Sequence, residues 1–126
     1  MLARGSAELR LRRSLSRKVV FAALTDGTGL KVHIAGTFGQ LGSADWDPTL
    51  NALTRVDATH WAITMTGKEA TNLEYKYVLG DWNYVEKDGA CAEVANRTAT
   101  ISYGANGTQT INDQVLNWRN VAPCGN

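Results

Sequence analysis

Two short stretches place a tryptophan among polar, turn-forming residues rather than on an apolar strand face. Trp46 lies in SADWDP (43–48), and Trp82 lies in GDWNYVEKD (80–88). An indole exposed in such a loop can stack on the flat apolar face of a sugar ring, while neighbouring amide, carboxylate or ammonium groups bind the hydroxyls at the rim of that ring. The composition of both stretches therefore favours ligand binding over core packing for these two tryptophans.

Residues for catalysis are harder to assemble. His33 falls within a strand pattern, His60 borders a turn, and neither belongs to a metal-ligand motif such as HExxH. With no recognisable nucleophile, phosphate-binding loop or cofactor motif, the sequence predicts neither an enzyme nor a cofactor. Acidic side chains are plentiful, so a glycosidase with two carboxylates stays open on composition alone. These acids are Asp45, Asp47, Asp81, Glu86 and Asp88.

After residue 18 the sequence has the pattern of short strands separated by turn-forming residues. This pattern predicts an all-β sandwich or barrel that positions the residues above. No segment shows a convincing apolar period of 3.6 residues. The clearest strand is NLEYKYVL (72–79), where Tyr75 and Tyr77 share one face and Glu74 and Lys76 share the other. The other predicted strands span 18–24, 30–36, 50–56, 60–66, 82–86, 97–103 and 108–118.

Length and charge set further limits. The 126 residues, 44% of them hydrophobic, suit one domain with one core. Residues 1–18 carry six basic side chains against one acidic one, and we expect a disordered linker or cloning-derived segment there, with a nucleic-acid-binding or lipid-binding tail as the alternative. The rest is mildly acidic, which argues against nucleic acid as a partner. The apolar run at 19–24 is too short for a signal peptide or a membrane span.

The two cysteines, Cys91 and Cys124, are too few for a zinc site of paired spacing. In a secreted protein they could form one disulfide that fastens a C-terminal tail, residues 120–126, to the loop around residue 91. Two separate thiols are the alternative, and the sequence leaves that choice open.

Five stretches between about residues 19 and 119 resemble, in order, landmarks of the starch-binding domains of carbohydrate-binding module family 20. Such modules are attached to amylases, glucoamylases, amylopullulanases and cyclodextrin glucanotransferases. The stretches are VHIAGTFGQLGSADWDP, HWAITM, LEYKYV, ANRTATI and INDQVLNWR. The resemblance implies an immunoglobulin-like antiparallel β-sandwich of seven or eight strands. It also implies a non-catalytic, extracellular module that binds starch, amylose, maltooligosaccharides and cyclodextrin and targets a linked glycoside hydrolase, such as an α-amylase, to starch granules.

The resemblance also carries a binding site onto this chain. Trp46 takes the first aromatic position, Lys76 the lysine of the EYK strand, and Asn96 the asparagine before the arginine of the next strand. Many relatives place the second tryptophan five residues before that asparagine, where this chain has Cys91. Trp82 is therefore expected to supply the second indole.

Two further residues, Glu86 and Trp61, are candidates for additional sugar contacts. Trp61 alternates with Ile63 and Met65 along one strand face, so core packing is favoured for it. The rival interpretation of the whole chain is an immunoglobulin-like interaction or spacer domain. Its aromatics would then cover an apolar contact with a neighbouring domain and bind no sugar.

Overall fold

The computed structural model describes residues 17–26 and 28–125, and this part of the chain confirms the predicted all-β class. Within these residues two 3₁₀ helices, Phe38–Leu41 and Trp82–Tyr84, interrupt the strands. The strands are β1 (Lys18–Leu24), β2 (His33–Gly36), β3 (Thr54–Arg55), β4 (His60–Met65), β5 (Asn72–Val78), β6 (Glu86–Lys87), β7 (Arg97–Thr100), β8 (Thr108–Gln114) and β9 (Asn117–Trp118).

In the described part of the chain, the strands form two main sheets and one separate two-stranded pair. The first sheet has the order β3-β4-β1-β8 and the second the order β2-β5-β7, while β6 pairs with β9. Neighbours are antiparallel, except that β1 and β8 run parallel. This pair departs from a purely antiparallel sandwich. Parallel neighbours need a long crossover connection, and residues 25–107 provide it here.

One apolar core lies between the two main sheets. Alternate residues of β1 and β5 point into it, so that Phe21, Tyr75 and Tyr77 are fully buried. The rings of Phe21 and Tyr75 meet edge to face, with centroids 5.0 Å apart. The alternation in residues 72–79 therefore correctly identified the buried face of β5.

A polar bridge also crosses the core. The hydroxyls of Tyr75 and Tyr77 both donate to one carboxylate oxygen of Asp113 on β8, at 2.7 and 2.8 Å. Burial first, and then the adjacent Asp113 carboxylate, raise the pKa of both tyrosines. These hydrogen bonds join the second sheet to the first and fix the level at which β5 sits against β8.

Among the predicted strands, 18–24 keeps its bounds as β1, and the largest departures concern three others. Residues 82–86 begin as a 3₁₀ helix, because the Asp81 carboxylate accepts from the backbone N–H of Asn83 and caps a turn. The stretch 108–118 breaks into β8 and β9, and of 50–56 only Thr54–Arg55 forms a strand.

The described residues include part of each predicted terminal segment. Most of the basic segment 1–18 lies outside the described residues, but Lys18 already begins β1. At the other end, Cys124 forms a disulfide with Cys91, with a Cα–Cα distance of 5.3 Å. Within the described residues, no helix has the length and apolar character needed to cross a membrane.

Candidate functional site

The loop after β2 presents Trp46. Its backbone N–H donates to the carbonyl of Gly36 at 2.7 Å, and its φ of 53° lies in the left-handed region. Phe38 anchors the start of the loop in the core, and the carboxylate of Asp45 accepts from the N–H of Gly39 at 2.7 Å. The unusual backbone of Trp46 is thus held from several sides, and its ring is half-buried.

Gly36 has a specific role in this anchoring. A Cβ atom added there would lie 2.1 Å from the backbone carbonyl oxygen of Glu74 on β5. Only glycine lets β2 approach β5 this closely where the Trp46 loop is attached. The glycine is therefore part of the platform that positions the indole.

Trp82 stands on the turn that follows β5. The turn closes through a bridge between Val78 and Val85, and the N–H of Leu79 donates to the carbonyl of Tyr84 at 3.1 Å. Gly80, with a φ of 85°, makes the reversal possible. The Trp82 side chain is 36% exposed, which is high for a ring of this size.

The structure brings the two tryptophans together. The ring centroids of Trp46 and Trp82 lie 6.3 Å apart, and their planes are inclined by 39°. This separation is within the range of aromatic contact, yet both rings keep solvent-accessible surface. Together they form a tilted aromatic surface at one edge of the second sheet.

Lys76 and Asn96 lie on the outward side of the same sheet. Lys76 alternates with the buried Tyr75 and Tyr77, and it pairs with Ala35 of β2 between the points where the two tryptophan loops are attached. Asn96 precedes β7, and its amide donates to a carboxylate oxygen of Glu74 at 3.2 Å. The two predicted polar residues therefore share the outward β5–β7 face.

The loop that carries Cys91 borders this face. Lys87, which donates to Glu93, and to a smaller extent the charge of Lys76 lower the pKa of Glu93. Cys91 itself has a φ of 62° and is bonded to Cys124, so it does not provide a platform.

A C-terminal strap, residues 119–124, supports the Trp82 turn. The sequence did not predict this support. The side-chain amide of Asn120 donates to the carbonyl of Asn83 at 2.9 Å, and the N–H of Arg119 donates to the carbonyl of Val85 at 2.9 Å. The disulfide at Cys124 fastens the end of this strap. The cysteine spacing was the signal available in the sequence, but it did not identify the turn as the supported element.

Glu86 does not lie on the ligand-accessible surface, which corrects its assignment as a possible sugar contact. It is 1% exposed, and its carboxylate accepts from Arg97 Nη2 at 2.7 Å, from Arg97 Nε at 3.0 Å and from the N–H of Tyr77 at 2.9 Å. Arg97 also reaches Asp113 Oδ1 at 3.4 Å. Glu86 is therefore a structural residue that stabilises the sheet beneath the site.

Trp61 lies mainly in the core, as its alternation with Ile63 and Met65 predicted. It is 8% exposed and belongs to the first sheet, whereas Trp46 and Trp82 flank the second. Its ring borders a separate concave region beside Lys31 and Arg55. A sugar contact at Trp61 stays a prediction.

Four aspartates that composition alone allowed as glycosidase carboxylates instead cap turns. A carboxylate oxygen of each accepts a backbone N–H, at distances from 2.7 to 2.9 Å. In Asp47 the hydroxyl and then the N–H of Thr49 lower the pKa of the carboxyl. The four capping residues are Asp45, Asp47, Asp81 and Asp88.

No family model matches the chain. In sequence, it is 42% identical over 106 residues to an amylopullulanase of Thermoanaerobacterium thermosulfurigenes, which covers 82% of this chain but only 6% of that enzyme. The chain thus spans a small part of the curated relatives that it matches.

Solved structures show the same fold. A family 15 glucoamylase of Hypocrea jecorina superposes with a TM-score of 0.59 at 25% identity, over 81% of this chain and 17% of that enzyme. The family 20 module of a maltotetraose-forming amylase from Pseudomonas saccharophila superposes with a TM-score of 0.52 at 18% identity, over 77% of this chain and 98% of that module. The chain is therefore a β-sandwich domain that resembles the carbohydrate-binding modules of family 20.

Proposed function

We propose that this chain is a non-catalytic module that binds starch and related α-glucans on the surface formed by Trp46 and Trp82. The observation that carries the proposal is the pair of partly exposed indoles, 6.3 Å apart and inclined by 39°. Each ring can stack on the apolar face of a glucose unit. Two neighbouring exposed aromatic rings rimmed by polar residues are typical of a site that binds a ligand or partner.

The inclination of the rings favours a curved glucan. Coplanar indoles would suit the flat ribbon of a crystalline β-glucan, whereas tilted rings can follow an α-1,4-linked chain that turns at each unit. Lys76 and the amide of Asn96 lie on the adjoining sheet face and can donate to glucose hydroxyls. In this arrangement the indoles provide most of the affinity and the polar groups set the orientation.

Similarity to part of an amylopullulanase supports a role beside a starch-degrading catalytic domain. A module of this kind raises the concentration of its linked enzyme at the granule surface and adds no contact in the transition state. Its expected partners are starch, amylose, maltooligosaccharides and cyclodextrin, together with a glycoside hydrolase domain in the same chain. This role implies an extracellular location.

Titration with β-cyclodextrin, followed by tryptophan fluorescence and calorimetry, tests the proposal. Trp46→Ala and Trp82→Ala should each weaken binding by roughly tenfold or more, the loss typical of a central aromatic anchor. Val56→Ala is the control, because Val56 is an apolar side chain that is 67% exposed and follows β3 in the first sheet, away from the two tryptophans. Circular dichroism should show that all three variants are folded.

The outcomes separate the proposal from its rivals. If the wild type neither binds β-cyclodextrin nor adsorbs to granular starch, the tilted indoles instead cover an interdomain contact, as in a spacer domain. If only one of the two tryptophan variants loses binding, the second platform lies elsewhere. Release of reducing sugar by the isolated chain, abolished by replacement of a carboxylate, would establish a glycosidase.

A further inference from the structure

We propose that a polar trough on the outward face of β5 and β7 binds further glucose units of a linear α-glucan that is anchored on the two tryptophans. This inference rests on the proposed function and extends it. The trough is a concave region of about 470 Å³ between the start of the Phe38–Leu41 helix and the edge strand β7. Its lining includes Thr37, Asn72, Glu74, Thr98 and Thr100.

The trough continues directly from the tryptophan site. Outward residues follow one another along β5 in the order Lys76, Glu74 and Asn72, and Glu74 contacts Asn96 of the site while also lining the trough. From Lys76 to Asn72 the strand advances about 13 Å, at roughly 3.3 Å per residue. A chain that leaves the indoles past Lys76 therefore meets more than one further set of polar groups.

The lining suits sugar hydroxyls. Thr98 and Thr100 are exposed on β7, opposite Glu74 and Asn72 of β5. The hydroxyl of Thr100 donates to the Asn72 side-chain oxygen at 2.7 Å, and the same amide carries two further donor hydrogens. Hydroxyl, amide and carboxylate groups in one row provide both donors and acceptors, as a glucose rim requires.

The wall formed by Thr37 is fixed before a ligand arrives. The N–H of Thr37 donates to the Glu74 carbonyl at 2.9 Å, and its hydroxyl accepts from the Glu74 N–H at 3.1 Å. The Gln40 side chain donates to the carbonyls of Thr37 and Asn72. The trough therefore keeps its shape without ordering a loop, which limits the entropic cost of binding.

The lining includes no aromatic side chain, so the trough should add selectivity more than affinity. Polar contacts between exposed groups contribute modestly, whereas aromatic stacking on the tryptophans anchors the ligand. A linear chain can extend from the indoles into the trough. A closed ring that sits on the indoles cannot, because both of its ends are joined. The trough thus distinguishes linear from cyclic glucans.

The test compares maltoheptaose with β-cyclodextrin, which joins the same number of glucose units in a ring. The variant Thr98→Val/Thr100→Val removes two trough hydroxyls but keeps the β-branched shape that suits a strand. The matched control, Thr64→Val/Thr110→Val, makes the same change at exposed strand positions of the first sheet. Affinities are measured by calorimetry, and thermal unfolding checks each fold.

We expect the trough variant to bind maltoheptaose roughly three- to tenfold more weakly than wild type, the effect of one or two lost hydrogen bonds, and to bind β-cyclodextrin unchanged. The control should leave both affinities unchanged. Equal maltoheptaose affinity in wild type and trough variant would overturn the inference while leaving the tryptophan site intact. An equal loss for both ligands would also overturn it. Absence of binding to either ligand by the wild type would refute the proposed function and this extension together.

Discussion

Replacement of Glu86 by glutamine should destabilise the fold and leave the affinity for α-glucan unchanged. Glu86 is 1% exposed and accepts two hydrogen bonds from Arg97 within 3.0 Å and one from the Tyr77 backbone. Glutamine keeps the shape and one acceptor oxygen, but it removes the negative charge and turns an NH₂ group toward the guanidinium.

The size of the effect follows from this geometry. Loss of one partner of a buried ion pair typically costs about 3–5 kcal/mol. Here the Arg97 side chain is 23% exposed and retains Asp113 at 3.4 Å, so its charge stays partly solvated and partly paired. We therefore expect the free energy of unfolding to fall by about 2–3 kcal/mol, which lowers the Tm by roughly 10 °C in a domain of this size.

Thermal and urea unfolding, followed by circular dichroism, measure the loss of stability, and β-cyclodextrin titration well below the Tm measures affinity. Glu93→Gln is the control, since Glu93 is a carboxylate exposed on the neighbouring loop and should leave the unfolding midpoint near that of wild type. An unfolding midpoint of Glu86→Gln equal to that of wild type would contradict the structural role of the buried ion pair. Loss of glucan binding by a folded Glu86→Gln variant would also contradict it, because Glu86 would then act at the ligand surface.

Two further predictions concern the support of the site and the core beneath it. Asn120→Ala removes the hydrogen bond to Asn83 that steadies the Trp82 turn, so calorimetry should show roughly two- to fivefold weaker glucan binding. The Tm should fall as well, because Asn120 has a left-handed backbone, with a φ of 60°, which alanine adopts less readily than asparagine. Unchanged affinity would mean that the strap is not needed for positioning. Burial, and then the carboxylate of Asp113, raise the pKa of Tyr75 and Tyr77 in the folded protein. The protonated tyrosines therefore stabilise the fold, and this stability is fully present below the unfolded-state pKa of about 10. It is lost as the pH rises from there toward the higher folded-state pKa. Their phenolate absorbance should appear together with loss of the circular dichroism signal, and ionisation of both in the folded protein would contradict this.

The sequence predicted what depends on local pattern. The alternation in 72–79 identified the buried tyrosines of β5. The polar turns around Trp46 and Trp82 indicated that both indoles lie outside the core. The family resemblance predicted that both indoles belong to one site, but local pattern alone could not predict their contact, because it depends on a hydrogen bond from Trp46 to Gly36 and on a left-handed backbone at a bulky residue. No local pattern encodes such a tertiary constraint.

The burial of Glu86 also depends on tertiary contacts that local sequence does not predict. A carboxylate within a stretch rich in charged residues is typical of a solvated surface, and the sequence accordingly suggested a ligand contact. Its burial depends on Arg97, eleven residues further along, which reaches it from another strand. Pairing across sheets decides whether a charge is buried, and spacing along one strand does not contain that information.

In this chain Cys91 occupies the position where many relatives have the second tryptophan. Family resemblance predicts an indole at that position, but the structure uses it to fasten the strap that supports the turn carrying Trp82. Trp46 is held independently, by β2 and by the core residue Phe38. Backbone hydrogen bonds order each tryptophan loop on its own support, and the two ring centroids lie 6.3 Å apart on these ordered loops. Binding then orders little of the protein, so the stacking energy on the proposed glucan is offset by only a small loss of conformational entropy.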